Sequence, residues 1–397
     1  MKEVKKRANR LTKILNAKKN LIASILIQCE TMMMVEDEFI RCIDLLSNLE
    51  TQQKYLSHRY NKVMASFLPL NQPLYSFVLQ VFIPSLIMKQ VYYRPPASQQ
   101  KLHIALLQEL LEACENIEIC PVSRKEFVSN YIKNCTIVNF TGRYENAMSL
   151  INELPKNIAV VYNGSAVNPI VIGDDANIEL AVKDTICARL YNSGQDCMAP
   201  ACILLDSRIS SAFIAMLEYE LEKVVVGSNE DPTTNVGSLI ETNSIERFIN
   251  LSEKYWRNIV FGGHYDAMNK YIFPTIFFFE HIMQDSLEVY YAPYFWIMSY
   301  KSIDEVQILL DSEYCEHYAG YISLYGKSVQ KKNWYSGKNK LIALLDSTLF
   351  SEENGNKEFG GYGAGCGFLY SNGTFFSHPI LLTREICCIM EKLDSYL

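Results

Sequence analysis

The stretch Tyr191-Asn192-Ser193-Gly194-Gln195-Asp196-Cys197 constrains the chain more than any other. Ahead of it, Ala176 to Leu190 places Ile178, Ala181, Val182, Ile186 and Leu190 close to helical spacing, behind the candidate caps Asp174 and Asp175. Asn192 and Gly194 suit the end of such a helix, because both tolerate the left-handed backbone of a helix stop. Beyond Cys197, the apolar run Cys202-Ile203-Leu204-Leu205 reads as buried. Cys197 is therefore expected on a short loop between a helix and that run. A thiol presented this way acts as a nucleophile where its thiolate is favoured. The competing reading is a small buried hydrophobe, the common state of cysteine, and this chain has twelve of them.

Those cysteines show no paired, zinc-type or secretory pattern, which reads as reduced thiols in a cytoplasm with no metal site. At 397 residues the chain exceeds the size at which one core stops growing, so two packed domains are expected. With 49% hydrophobic and 20% charged residues it can bury a large core. A net charge of −7 disfavours nucleic acid as a partner. No apolar run approaches the ~18 residues of a membrane span.

Residues 1 to 20 are strongly basic, above a helical stripe of Leu11, Ile14, Leu15, Leu21, Ile22, Ile25 and Leu26. The favoured reading is the solvated face of a packed helix, over a membrane-surface or nucleic-acid contact. The segment is not read as a signal peptide, because polar residues interrupt its apolar part. Asp37 to Glu50 is expected to be a second helix with Phe39, Ile40, Ile43, Leu45 and Leu46 inward. Leu49 to Phe67 is short and polar.

From residue 70 to 165, strand-like and helix-like segments alternate. Val91-Tyr92-Tyr93-Arg94-Pro95 reads as a strand delivering a cation, Leu102 to Cys114 as an amphipathic helix, and Cys135 to Phe140 as a strand before a Thr141-Gly142 turn. Ile158 to Tyr162 and Pro169 to Ile172 read as buried strands around Asn163-Gly164-Ser165. The alternation predicts an α/β fold with parallel sheets and crossovers. There is no Gly-x-Gly-x-x-Gly fingerprint, so these residues alone do not claim a dinucleotide. The aromatic-rich segment from Asp266 to Tyr325 reads mainly as core. His378 to Ile386 reads as a strand leading into a last helix.

Several motifs in order carry a resemblance. Asn192-Ser193-Gly194-Gln195-Asp196-Cys197 resembles the Asn-x-Gly-Gln-x-Cys nucleophile motif of the NAD(P)-dependent aldehyde dehydrogenase superfamily. Pro69-Leu70-Asn71-Gln72-Pro73 resembles its Pro-Trp-Asn-x-Pro, and Phe140-Thr141-Gly142 its Phe-Thr-Gly-Ser. Asp231-Pro232, Val236 to Ile240, Phe273-Pro274-Thr275 and Phe359-Gly360-Gly361 continue the series. The likeness spans roughly residues 15 to 365 and looks like that of a divergent, shortened member. It implies two domains with Rossmann-like parallel sheets. These are an NAD(P)-binding domain over 1–165, a catalytic cysteine domain over 166–370, and a C-terminal strand and helix over 371–397.

The resemblance also implies roles. Cys197 is the nucleophile, and Asn71 donates to the oxyanion together with the Cys197 amide. Arg94, Phe140, Thr141, Gly142, Arg143, Glu288 and Phe359 fall at cofactor-contact motifs for NAD or NADP. Arg94 replaces a lysine and lacks a following carboxylate, leaving NADP as well supported as NAD. At the motif whose glutamate activates the hydrolytic water, this chain has Tyr162 or Asn163, neither of which is a carboxylate base. Glu288 lies one residue early for the ribose-binding glutamate, and otherwise reads as a solvated charge. The implied substrates are a small-molecule aldehyde or an acyl thioester, with coenzyme A or a carrier protein as a further partner. The alternatives are a thioester reductase or a pseudoenzyme with a binding role. The short 49–67 segment implies a monomer or dimer, without the arm that builds the family's tetramer.

Overall fold

The computed structural model describes residues 1–397 except 242, 284–286, 333, 335–339 and 395–397. It opens with three helices, α1 (Lys2–Ala17), α2 (Lys19–Leu26) and α3 (Met32–Ser47). Val4, Ala8, Leu11 and Leu15 of α1 are buried, while Lys2, Lys5, Lys6 and Lys13 face solvent. One residue of the predicted stripe and one of the expected second helix need correction. Leu21 is 49% exposed and Ile40 is 65% exposed, because the helical turn carries both away from the core. Moreover, α3 begins five residues before the expected Asp37, where Thr31 caps it by accepting from the Met34 amide.

Five parallel strands follow: β1 (Tyr60–Phe67), β2 (Met88–Arg94), β3 (Ile117–Ile119), β4 (Ile137–Thr141) and β5 (Ala159–Asn163). The polar segment before Phe67 thus ends in a strand paired on both sides, with β2 and β4. Met64 and Ala65 are fully buried there, and this short apolar half is what makes the strand.

The chain then builds a second sheet from β6 (Ile170–Ile172), β7 (Ile203–Asp206) and β8 (Ile259–Phe261), with a small hairpin of β9 (Tyr265–Asp266) and β10 (Tyr271–Ile272). It is completed by β11 (Thr275–Phe279), β12 (Tyr294–Tyr300), β13 (Tyr321–Tyr325) and β14 (Ile342–Leu345). Its order is β14-β13-β6-β7-β12-β11-β8, parallel except for β8 at one edge.

The chain finally returns with β15 (Gly367–Ser371) and β16 (Thr374–Phe376), which extend the first sheet to β16-β15-β5-β4-β1-β2-β3. β15 runs antiparallel to β5. The last strand therefore precedes His378, and only a single bridge joins Phe359 to Ile380. The helix Leu382–Asp394 buries Ile386, Ile389 and Met390 in the first sheet's core cluster.

Strand order places the site. In the first sheet the chain steps outward from β1 through β2 to β3, then crosses back to β4 and on to β5. The order reverses between β1 and β4, and in open parallel sheets ligands lodge beyond the carboxyl ends of the strands at such a reversal. Those ends carry Leu68 to Asn71 after β1 and Gly142-Arg143 after β4.

Candidate active site

A cavity of about 440 Å³ opens at that reversal. Phe67 to Asn71, Arg94, Phe140 to Arg143 and Asn163 to Ser165 line it from the first sheet, and Gln195, Cys197, Glu241 and Tyr291 close it from the second. A second cavity of about 110 Å³ lies behind, lined by Tyr75, Leu79, Met198, Phe359 and Ile380 among others. Asn71, Asn163, Gly164 and Cys197 line both. Cys197 thus stands where a reactant from each side would meet.

Local sequence explains the placement of its loop. The helix Ile178–Leu190 is capped by Asn177, which accepts from the Leu180 amide, not by Asp174 or Asp175. It stops because Asn192, Ser193 and Gly194 are all left-handed, with φ of 47°, 57° and 75°. At Gly194 a side chain has no room, since a Cβ would lie 2.5 Å from the Ala292 carbonyl. Arg189, fully buried, ties this loop down. Its guanidinium donates to the carbonyls of Pro200 (2.9 Å), Gly194 (3.0 Å), Tyr290 (3.1 Å) and Ala292 (2.6 Å). The Gln195 side chain accepts from the Ile240 amide at 2.7 Å, and the Ser193 hydroxyl from the Gly237 amide at 2.8 Å.

The Cys197 thiol is half-exposed to the cavities yet enclosed by protein, and burial, then the neighbouring Asp196 carboxylate, push it well above the usual thiol range. It therefore rests as a thiol, where the sequence reading required a favoured thiolate. Asn71 is also engaged. Its amide donates to Asp196 Oδ2 at 3.1 Å, and Gln72, left-handed at φ 52°, donates to the same oxygen at 2.7 Å. The Met198 amide donates to Asp196 Oδ1 at 2.8 Å. An amide NH2 has two hydrogens, so Asn71 keeps one donor beyond Asp196. Burial raises the Asp196 carboxyl to about 6, against the stabilising pull of the Met198 amide, Arg41 and Asn71.

Arg94, Phe140, Thr141, Gly142 and Arg143 all line the larger cavity. Arg94 donates to the Val122 carbonyl at 3.0 Å, and Arg143 pairs with Glu241 at 3.3 Å. Two proposed cofactor contacts are not brought there. Glu288 points to solvent and pairs with Arg247 at 3.6 Å, while Tyr291 of the same loop takes the cavity wall. Phe359, held by the bridge to Ile380, lines the smaller cavity instead. Tyr162 is buried and its hydroxyl donates toward the carbonyls of Gly142 and Gly365. Burial raises its phenol further from a base. Asn163 donates to Asn139 at 2.9 Å.

The sequence reading missed Asp196 and Glu353. Asp196 sat inside the quoted motif as its variable position. Glu353 lies six residues before Phe359 with no pattern to mark it. It lines the smaller cavity, accepts from the Tyr75 hydroxyl at 2.7 Å and pairs with Arg41 of α3. Arg41 also pairs with Asp37 at 2.6 Å, and Asp37 accepts from the Tyr191 hydroxyl. Among the described residues no group of three or more His, Cys, Asp or Glu is placed to hold a metal. No helix among them is long and apolar enough to cross a membrane.

The family model described as "Aldehyde dehydrogenase family" matches residues 12–328. The chain belongs to the aldehyde dehydrogenase family. It is 27% identical over 252 residues to the 4,4'-diaponeurosporen-aldehyde dehydrogenase of Staphylococcus aureus, covering 61% of this chain and 53% of that protein. It is 26% identical over 228 residues to a lactaldehyde dehydrogenase of Methanococcus aeolicus, covering 54% and 48%. This chain spans about half the length of the curated relatives it matches. Among solved structures, the succinic semialdehyde dehydrogenase of Streptococcus pyogenes in complex with NADP+ superposes with a TM-score of 0.81. It covers 95% of this chain and 89% of that one at 18% identity, a likeness of fold.

Proposed function

We propose that this family member is an NAD(P)-dependent oxidoreductase that oxidises an aldehyde through a covalent thioester on Cys197. The observation that carries the reading is Cys197 lining both cavities, with Asn71 beside it in each. The larger cavity suits a dinucleotide. It lies at the reversal of strand order, its volume is in the range of small-molecule sites, and Arg94, Arg124 and Arg143 line it against the single carboxylate of Glu241. NAD(P)+ bound there supplies the hydride acceptor. The smaller cavity presents Tyr75, Leu79, Met198 and Ile380 to the aldehyde's substituent. Attack by Cys197 sulfur on the carbonyl carbon places negative charge on oxygen, where the second Asn71 hydrogen and the Cys197 amide stabilise it. Loss of hydride then leaves the thioester.

We further infer that the first sheet carries the cofactor domain and the second the catalytic domain, changing over at residues 165–166 between β5 and β6.

Thioester release is the weak step. Tyr162 is a buried phenol and Asn163 has no basicity, whereas general-base help is worth about 10²–10⁴ in rate. A thiol acceptor needs less help, being partly ionised near neutral pH and more nucleophilic. Coenzyme A or a carrier thiol is therefore the proposed acyl acceptor. With aldehyde and NAD(P)+ alone, stopped-flow absorbance is expected to show about one equivalent of NAD(P)H followed by a sharp slowing. Intact-mass spectrometry is expected to show the acylated protein, and an added thiol to restore turnover. Steady carboxylate production without thiol would reject acyl transfer. No burst despite bound cofactor would reject the enzyme in favour of the binding-protein reading, which the missing base glutamate and the solvent-facing Glu288 support.

A further inference from the structure

We infer that Asp196 is the proton acceptor for the Cys197 thiol, so that the nucleophile is activated by its own chain neighbour. The inference rests on Cys197 being the nucleophile. Three observations support it. Asp196 is fully buried and lines the smaller cavity beside Cys197. Its carboxylate is held by three donors, the Met198 amide on one oxygen and the Asn71 and Gln72 amides on the other, so its orientation is set by the loops that present the thiol. Its carboxylate is also the charge that acts most strongly on the Cys197 thiol.

Other buried acids are worse placed. Glu353 lines the same cavity, but it is distant in sequence, is ion-paired to Arg41, and its charge acts on the Cys197 thiol less than that of Asp196. Glu30 and Glu38 are buried and absent from the walls of either cavity.

In the step proposed, the Cys197 proton moves to an Asp196 oxygen as the sulfur forms a bond to the carbonyl carbon. The carbonyl π pair moves onto oxygen, which Asn71 and the Cys197 amide hold. A dinucleotide held in the larger cavity would accept the hydride, leaving a thioester on Cys197 and the proton on Asp196, which returns it to solvent through the cavity. Asn71 serves both partners, one hydrogen orienting the base and the other meeting the oxyanion.

The groups that set the ionisation of Asp196 come from each surrounding element. Arg41 of α3 and the amides of Asn71 and Met198 favour its charge, and Glu353 opposes it. Arg189 and Tyr191 at the helix end, Tyr291 of the 287–293 loop and Cys197 itself also feel its charge. Its ionisation near pH 6 is suited to a base working at neutral pH.

The test is the rate at which iodoacetamide alkylates Cys197 in the full chain, read by peptide mass spectrometry from pH 5 to 9. In the native protein the rate is expected to rise through about pH 6 and to fall in heavy water. In Asp196→Asn it is expected to drop about a hundredfold at pH 7. A merely electrostatic neighbour gives the opposite result. Removing an adjacent negative charge would lower the thiol pKa, and alkylation would speed up, which overturns the proposal. If the variant does not fold, the native profile decides alone, since a rate rising only above pH 9 as a free thiolate would also overturn it. The NAD(P)H burst is measured separately on the native protein. Its absence beside an alkylation profile that follows Asp196 rejects the proposed enzyme without rejecting the proton transfer.

Discussion

At Asn71 one side chain has two hydrogens and two claims on them. One is used on Asp196 at 3.1 Å, and the proposed mechanism uses the other on the oxyanion. Asn71→Ala should therefore cost about 3 kcal/mol, roughly a hundredfold in kcat, because an oxyanion donor acts mainly in the transition state. KM should change little. Steady-state kinetics with a thiol acceptor checks this, and an unchanged kcat would return Asn71 to a turn residue between two prolines. Cys197→Ala should abolish turnover while cofactor binding, followed by fluorescence titration, persists. Cys197 is one small part of the larger cavity's wall, and its loss leaves Arg94, Phe140 and Arg143 in place, so a variant that lost cofactor affinity as well would point to a collapsed loop.

The loop from Asn192 to Pro200 is too irregular to hold itself. Three successive left-handed residues give it no internal ladder, and Arg189 supplies what is missing by joining it to the 290–293 loop. Arg189 is also the last-turn cation of its own helix, and its guanidinium lies 5.0 Å from the Tyr290 ring. Replacing it with Met would keep much of the volume and leave four buried carbonyls short of a donor, at about 1–3 kcal/mol for each one that finds no substitute. Arg189→Met is expected to lower the urea midpoint and to quicken Cys197 alkylation as the loop loosens. Stability unchanged within ~0.5 kcal/mol would show that water replaces the clamp.

Across the whole molecule, the turn after α2 and helix α3 bring Glu30 and Glu38 together out of solvent. Burial pushes the Glu30 carboxyl well above the carboxylate range and raises Glu38 to about 7. Because the folded-state values lie above those of the unfolded chain, the folded protein holds these protons longer. Their contribution is fully present below the unfolded value of about 4.3 and is lost as pH rises through about 7. Urea unfolding at pH 5.5 and 8.0 should show the higher midpoint at 5.5. In Glu38→Gln, which keeps an acceptor for the Tyr75 amide, this pH dependence should flatten. A native protein more stable at pH 8.0 would contradict the assignment. Assembly belongs to the same scale. With β1 taking up residues 60–67, little chain is left between α3 and the first sheet for an intersubunit arm. Light scattering is expected to give the mass of one or two chains, and a stable tetramer would be the contrary result.

Local pattern determined the elements whose signal is periodic or conformational. The alternation through residues 70–165 specified parallel crossovers, the apolar runs specified buried strands, and Asn192 with Gly194 specified the helix stop before Cys197. The ordered motifs specified the family, and with it the wall of Arg94, Phe140, Thr141, Gly142 and Arg143. Long-range contacts decided the rest. β1 was hidden in a polar segment because only its last residues are apolar, and its neighbours β2 and β4 make it a strand. The resting protonation of Cys197 depends on burial and on Asp196, neither of which motif spacing conveys. Glu353 reaches the smaller cavity through Arg41 and Tyr75, more than 270 residues away in sequence, and Glu288 faces solvent near Arg247 instead of lining the larger one. A charge's role depends on what is packed around it, and that packing exists only once distant segments have met.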